Sequence, residues 1–228
     1  MNTNTPPSPD SVLSSLSPVF RILAPALIVG CDASLRIFEE FFKLKRPDEP
    51  WLFAHQTRYV ALRKLRQDGI ADLGFEVAEI AQSGVFIHNA DYEMRVLKAT
   101  YRKDRLSGQV IRSVPNPGSD ARKEYFHQPS LPITGTLGED TKQRLKLVVL
   151  WDHDEDYQVT YMDLAAPRGW AQSRSCVDLH WLEAIPELEQ DHLSVSSGQT
   201  TPAIQLDDVA VREKDSVKQK AADASGSR

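Results

Sequence analysis

Four aspartates at even spacing carry the most pointed chemistry in the chain. Asp152, Asp154 and Asp156 alternate with other residues, and Asp163 stands twelfth when Asp152 is counted as first. Hard cations such as calcium are held by loops of this kind. The pattern fails at two positions. Tyr157 sits sixth, where the sharp turn wants glycine, and the twelfth residue is the shorter Asp163 in place of glutamate. Asp152, Asp154 and Asp156 therefore stand as weak metal candidates, with a solvated acidic turn as the plainer expectation. His153 lies among them, and none of the six histidines has a zinc spacing such as HxxxH or HExxH. A strand-borne nuclease site would need carboxylates and a lysine around a hydrated metal. Glu76, Asp91, Glu93 and Lys98 supply those types, but Glu93 and Lys98 point to opposite faces of one regular strand.

A second constellation is cationic. Arg95, Lys98, Arg102, Lys103, Arg105, Arg112, Arg122 and Lys123 oppose only Asp104 and Asp120, inside a chain whose net charge is -5. Tyr101 and Tyr125 are interleaved with them. Clustered cations suit phosphates or an acidic protein, and neighbouring aromatics suit base stacking. Internal neutralisation by the chain's own acids competes with both. There is no GxSxG, P-loop or GxGxxG, so nucleophilic and nucleotide chemistry have no foothold in the motifs. No cofactor is expected.

The elements that must position these groups centre on Arg144 to Pro167. Leu145 to Trp151 is a short apolar run, and Gln158 to Leu164 alternates polar with apolar. The two predict paired strands joined by the acidic bend Asp152–Asp156. Before them, Phe75–Ala81, Val85–His88 and Tyr92–Thr100 read as at least three short strands, with a turn at Ser83-Gly84. Tyr92, Met94, Val96 and either Leu97 or Lys98 are the inward set of the third, with Glu93 and Arg95 turned out. Tyr101 to Arg122, broken by Gly108, Pro115, Pro117 and Gly118, reads as a long basic loop. Pro167-Arg168-Gly169 is expected to end the sheet, and Val177–Ile185 to form a last core element.

The N-terminal part reads as helices. Asp10 or Ser11 caps a short one through Leu16, Ser17-Pro18 restarts the helix, Pro25 kinks or ends it, and Gly30 stops it. Asp32 then caps a further helix to about Lys45, with Leu35, Phe38, Phe41 and Phe42 as a stripe turned to the core. Trp51, Leu52 and Phe53 re-enter the core, and residues 54–68 form a helix ending at Gly69, with Tyr59, Leu62 and Leu65 inward. The apolar stretch Val19–Cys31 holds Arg21 and Pro25 and falls short of the ~20 residues a span needs.

The 228 residues, 41% hydrophobic and 26% charged, fit a globular chain. Expected are a lead over 1–9, a helical segment over 10–46, an α+β domain over 51–186 and a disordered tail over 187–228. The expected class is α+β, with N-terminal helices packed on a mostly antiparallel sheet. Two distant cysteines, Cys31 and Cys176, make neither a disulfide framework nor a thiolate metal site and favour a reducing, cytoplasmic setting. The expected function is non-catalytic binding or regulation of a protein partner, or of nucleic acid, through the basic loop and sheet face, without membrane contact. A metal-dependent nuclease or other hydrolase is the alternative.

Overall fold

The computed structural model describes residues 7–44, 47, 49–80, 84–103, 108–128, 144–172 and 176–186. They belong to one compact unit that runs to His192. The expected tail, like Arg105, lies outside the described residues.

The fold is α+β as expected. Helix α1 spans Pro9–Phe42 and α2 spans Pro50–Gln67, followed by a single 3-10 turn at Ile70–Leu73. Six strands form one sheet: β1 Glu76–Ile80, β2 Gly84–His88, β3 Tyr92–Lys98, β6 Leu145–His153, β7 Val159–Ala171 and β8 Cys176–Ala184, in that spatial order. All neighbours run antiparallel except β3 and β6. A separate two-stranded ribbon, β4 Thr100–Lys103 with β5 Val110–Ser113, and the short helix α3 Asp120–Phe126 fill the crossover between those two parallel strands.

The predicted strand pair is present as β6 and β7, with Val149 opposite Leu164 and Trp151 opposite Met162. It is buried on both faces. Leu147, Val149, Trp151, Met162 and Leu164 face α1 and α2, while Val148, Leu150 and Ala165 face α3 with Tyr125 and Phe126. The sheet does not end at Pro167-Arg168-Gly169. β7 carries on to Ala171 through register shifts at Ala166/Pro167 and Pro167/Gly169, because a bulge accommodates the proline that a regular ladder would reject.

Gln128 repairs the sheet where β6 and β7 diverge. Its side-chain oxygen accepts from the Lys146 amide at 2.8 Å, and its amide nitrogen donates to the Lys146 and Pro167 carbonyls at 3.3 Å each. Its own backbone amide donates to Arg168, and its carbonyl lies 2.7 Å from His180 Nε2. A single buried side chain thus supplies the partners that the two strands lack for each other.

The N-terminal expectation of broken helices is corrected. α1 is one element containing Pro18, Pro25 and Gly30, and its cap is Ser8, whose hydroxyl accepts from the Ser11 amide at 3.3 Å. Pro9 occupies the first turn, where a missing N–H costs nothing. An internal proline costs ~3 kcal/mol, but each fully buried Leu or Phe returns ~1.5–3 kcal/mol. Leu16, Phe20, Leu23 and Leu27 are all buried, so packing outweighs the two breaks. By length and composition α1 could cross a bilayer; these side chains are instead packed into the core shared with α2 and the sheet. The stripe also ends earlier than its spacing suggests. Phe38 is buried, whereas Phe41 and Phe42 are exposed in the last turn, and Trp51 is exposed while Phe53 is buried.

Gly30 is a contact rather than a stop. A Cβ there would collide with the Thr57 carbonyl, and beside it Ser34 Oγ donates to the Gly30 carbonyl at 2.8 Å while Thr57 Oγ1 donates to Ser34 Oγ at 3.3 Å. An alanine in an open helix position would add about 1 kcal/mol of stability. At this crossing Gly30→Ala is expected to remove about 1–3 kcal/mol, because backbone must move to admit the methyl group. Urea denaturation of the two proteins checks the sign.

Candidate functional site

The chemically varied residues meet in a polar seam where β3 and β6 end and β7 begins, beside the ribbon. β3 and β6 run in register to Lys98 and Trp151, so Lys98 ends level with the start of Asp152-His153. On β7 the pairing then slips between Asp152 and His153. Lys98 Nζ lies 2.6 Å from His153 Nε2 and 3.5 Å from Asp152 Oδ1. His153 Nδ1 is 2.8 Å from the Asp154 carbonyl. A carbonyl only accepts, so Nδ1 carries the hydrogen and Nε2 offers its lone pair to the Lys98 ammonium. The ring is not exposed as a turn residue would be. It packs edge-on against Phe53 with centroids 5.2 Å apart and tilts over Tyr157 at 4.8 Å. Burial first, with Lys98 adding to it, pulls its pKa below the ordinary 6.5 even though the Asp154 carbonyl and nearby carboxylates oppose the shift.

On the other side of the strand pair, Asp152 accepts from the Tyr101 hydroxyl at 2.7 Å, and Tyr101 and Tyr161 hydroxyls lie 3.3 Å apart. Burial raises the pKa of both phenols; hydrogen bonding to Tyr101 and the Asp152 charge raise Tyr161 further. Arg112 of β5 places Nε 3.0 Å from Asp163 Oδ2 and its guanidinium carbon 3.9 Å from the Tyr161 ring centre. The Arg112–Asp163 approach is close without the alignment of a hydrogen bond, so the buried Oδ2 meets its cation as an ion pair alone. Burial raises the Asp163 pKa and Arg112 only partly offsets it. The hairpin acids are therefore of two kinds. Asp154, Glu155 and Asp156 are exposed, while Asp152 and Asp163 are buried and held by the basic segment.

The metal candidates do not converge. Asp154 Oδ1 accepts from the amides of Asp156 and Gln158, both at 2.9 Å, so it closes the turn. Tyr157 supplies the left-handed residue of that turn with φ 62°. Asp152 faces Tyr101, and Asp156 is in solvent. Among the described residues no group of three His, Cys, Asp or Glu side chains is placed to hold a metal ion. Glu76 sits 3.7 Å from His88, and Glu93 3.3 Å from Arg144, at the opposite end of β3 from Lys98.

The cationic set is divided by the fold. Arg95 lies under Tyr125 with its guanidinium carbon 4.3 Å from the ring centre, and burial lowers its pKa. Tyr125 is buried, and its hydroxyl shares its hydrogen between the Glu93 carbonyl at 2.9 Å and the Leu147 carbonyl at 2.7 Å, which removes it from any stacking surface. Lys98 and Arg112 serve the seam. Lys123 pairs with Asp120 at 2.8 Å on the surface. Arg122 is half-buried, and its charge contributes to lowering Arg95 and Arg58, the latter pushed down to about 10 mainly by burial. Arg102 and Lys103 remain exposed on β4, a strand exposed at every position.

Sequence reasoning missed Tyr161, Gln128 and Arg168. The last lines a cavity of about 360 Å³ with Arg102, Val177, Asp178 and Leu179. A neighbouring cavity of about 270 Å³ is lined by Thr100, Tyr101, Arg102, Ser113, Asn116 and Cys176. The β7–β8 register, Pro167 opposite Leu179 and Gly169 opposite Asp178, sets Arg168 beside Val177, Asp178 and Leu179, and no local pattern announces it.

Comparison with family models, with curated proteins and with solved structures finds no match to the chain.

Two outcomes test the seam. The folded state holds His153 below its unfolded pKa, so the unfolded chain binds the extra proton. Stability from this group is complete above about 6.5 and is lost as pH falls below it. His153→Gln keeps an acceptor for Lys98 and is expected to flatten the pH dependence of the denaturation midpoint just below about 6.5. Removing Arg112 leaves Asp163 buried without its cation. Arg112→Met is expected to cost roughly 2 kcal/mol, below the usual figure for a buried pair because Arg112 itself is part-exposed. The double substitution Arg112→Met with Asp163→Leu is expected to recover most of that loss in the same urea titration.

Proposed function

We propose that the chain is a non-catalytic binding protein that holds an acidic partner through the β4–β5 ribbon. One observation carries this reading: the contrast in how its cations are used. Arg95, Lys98, Arg112 and Lys123 have partners within the fold. Arg102 and Lys103 stand in solvent beside exposed Tyr101 and Val110. Exposed like charges on a ribbon steer an oppositely charged partner and set its register.

The groups that could perform chemistry are committed elsewhere. Lys98, His153, Asp152 and Tyr101 bond to one another, and burial holds the Cys31 thiol protonated by pushing its pKa up to about 12. The hydrolase alternative draws no support from the diverging carboxylates. A protein partner is favoured over nucleic acid because Tyr125 is inside the core and Tyr101 is tied to Asp152. Both cysteines are buried and free, which suits a reducing, cytoplasmic setting.

Retention on immobilised polyglutamate tests this. It is expected to vanish as salt rises from about 0.01 M to about 1 M, over which the Debye length shrinks from ~30 Å to ~3 Å. The double substitution Arg102→Glu with Lys103→Glu is expected to abolish it at low salt. Retention indifferent to both salt and substitution refutes an electrostatic ribbon.

A further inference from the structure

We infer that the cleft between β4 and the first half of β8 is the binding site proper, and that it takes an extended acidic peptide with apolar residues between its carboxylates. This rests on the proposed binding role and names its partner chemistry. Three observations meet in the cleft.

The first is charge. Arg102 from β4 and Arg168 from β7 line the same cavity of about 360 Å³, both are exposed, and neither guanidinium has a hydrogen-bond or ion-pair partner among the described residues. Two like charges in one cleft repel unless an anion lies between them. A guanidinium fork is matched by a carboxylate, which it can hold through two parallel bonds. Asp178 on the same wall lowers the net charge of the cleft. That suits one or two carboxylates better than a polyphosphate backbone.

The second is the strand edge. β8 has β7 as its only strand neighbour among the described residues and closes the spatial order of the sheet. An edge strand presents unpaired N–H and C=O groups, and an extended peptide can add to it as a further strand. Side chains of an added strand alternate between faces, so every second one points the same way.

The third is the lining between the cations. Half-buried Leu179 of β8 gives the cleft apolar surface, with the core residue Val177 also on its lining. The adjoining cavity, reached past Arg102, offers the polar side chains of Thr100, Ser113 and Asn116. A peptide alternating acidic and apolar residues would satisfy both, with its carboxylates at Arg102 and Arg168 and its backbone along β8.

The test uses the full chain and a fluorescein-labelled peptide of alternating glutamate and valine, read by anisotropy. Arg168 lies on β7, outside the ribbon, so it separates the cleft from the exposed cations of β4. Arg168→Glu is expected to weaken binding about tenfold or more, and Arg63→Glu on α2 to leave it unchanged. The same peptide N-methylated at alternate amides is expected to lose binding, because strand addition needs those donors. Equal effects of Arg168→Glu and Arg63→Glu overturn the cleft, and an undiminished N-methylated peptide overturns the strand edge. A single-stranded oligonucleotide that binds more tightly than the peptide, with the same dependence on Arg168, overturns the peptide as partner. Polyglutamate retention without binding of the alternating peptide overturns this inference alone. Loss of both overturns the ribbon reading with it.

Discussion

The constraint on which the structure depends is the burial of β6 and β7 on both faces. Val148, Val149, Leu150 and Trp151 are successive residues with no exposed surface, so their side chains fill two separate layers. A strand pair of this kind cannot stand as one wall of a half-open sheet. It requires α1 and α2 on one side and α3 with the ribbon on the other. The crossover between parallel β3 and β6 is therefore structural: it has to cover the second face, and Tyr125, Phe126 and Val114 do so.

The same burial dictates the electrostatics. Asp152 and Asp163 lie on strands whose neighbours are apolar, and a carboxylate taken from water needs hydrogen bonds or a cation. Tyr101, Lys98 and Arg112 meet that need, two of them carried on the ribbon. A segment that looks like a basic surface in the sequence thus does two jobs. Part of it neutralises the chain's own acids, and among the described residues Arg102 and Lys103, exposed on β4, keep their charge for something outside.

Much of the architecture was legible because its signals are local. The apolar run at Leu145–Trp151 and the alternation after Gln158 mark a pair whatever surrounds it, and Gly69 marks a helix end through its left-handed backbone, φ 79°. The single helix α1 was not legible, since Pro18 and Pro25 are local breaks and the packing that overrides them is tertiary. The ribbon was hidden because β4 is exposed at all four positions and so shows no period. Helix α3 was hidden by the prolines before it, although Ser119, whose hydroxyl accepts from the Arg122 amide, is a recognisable cap. The acids split for a reason no spacing rule contains: Asp152 and Asp156 differ by whether the strand has ended, and the Asp154 side chain ends it.

Native-state hydrogen exchange across the chain tests the two-sided burial most directly. The account predicts that the amides of Val148 to Trp151 and of Leu164 to Ala166 exchange only by global unfolding and are the slowest in the protein. Exchange of these amides through a smaller opening, with the slowest protons confined to α1, would contradict it and make the strand pair an accessory to the helices.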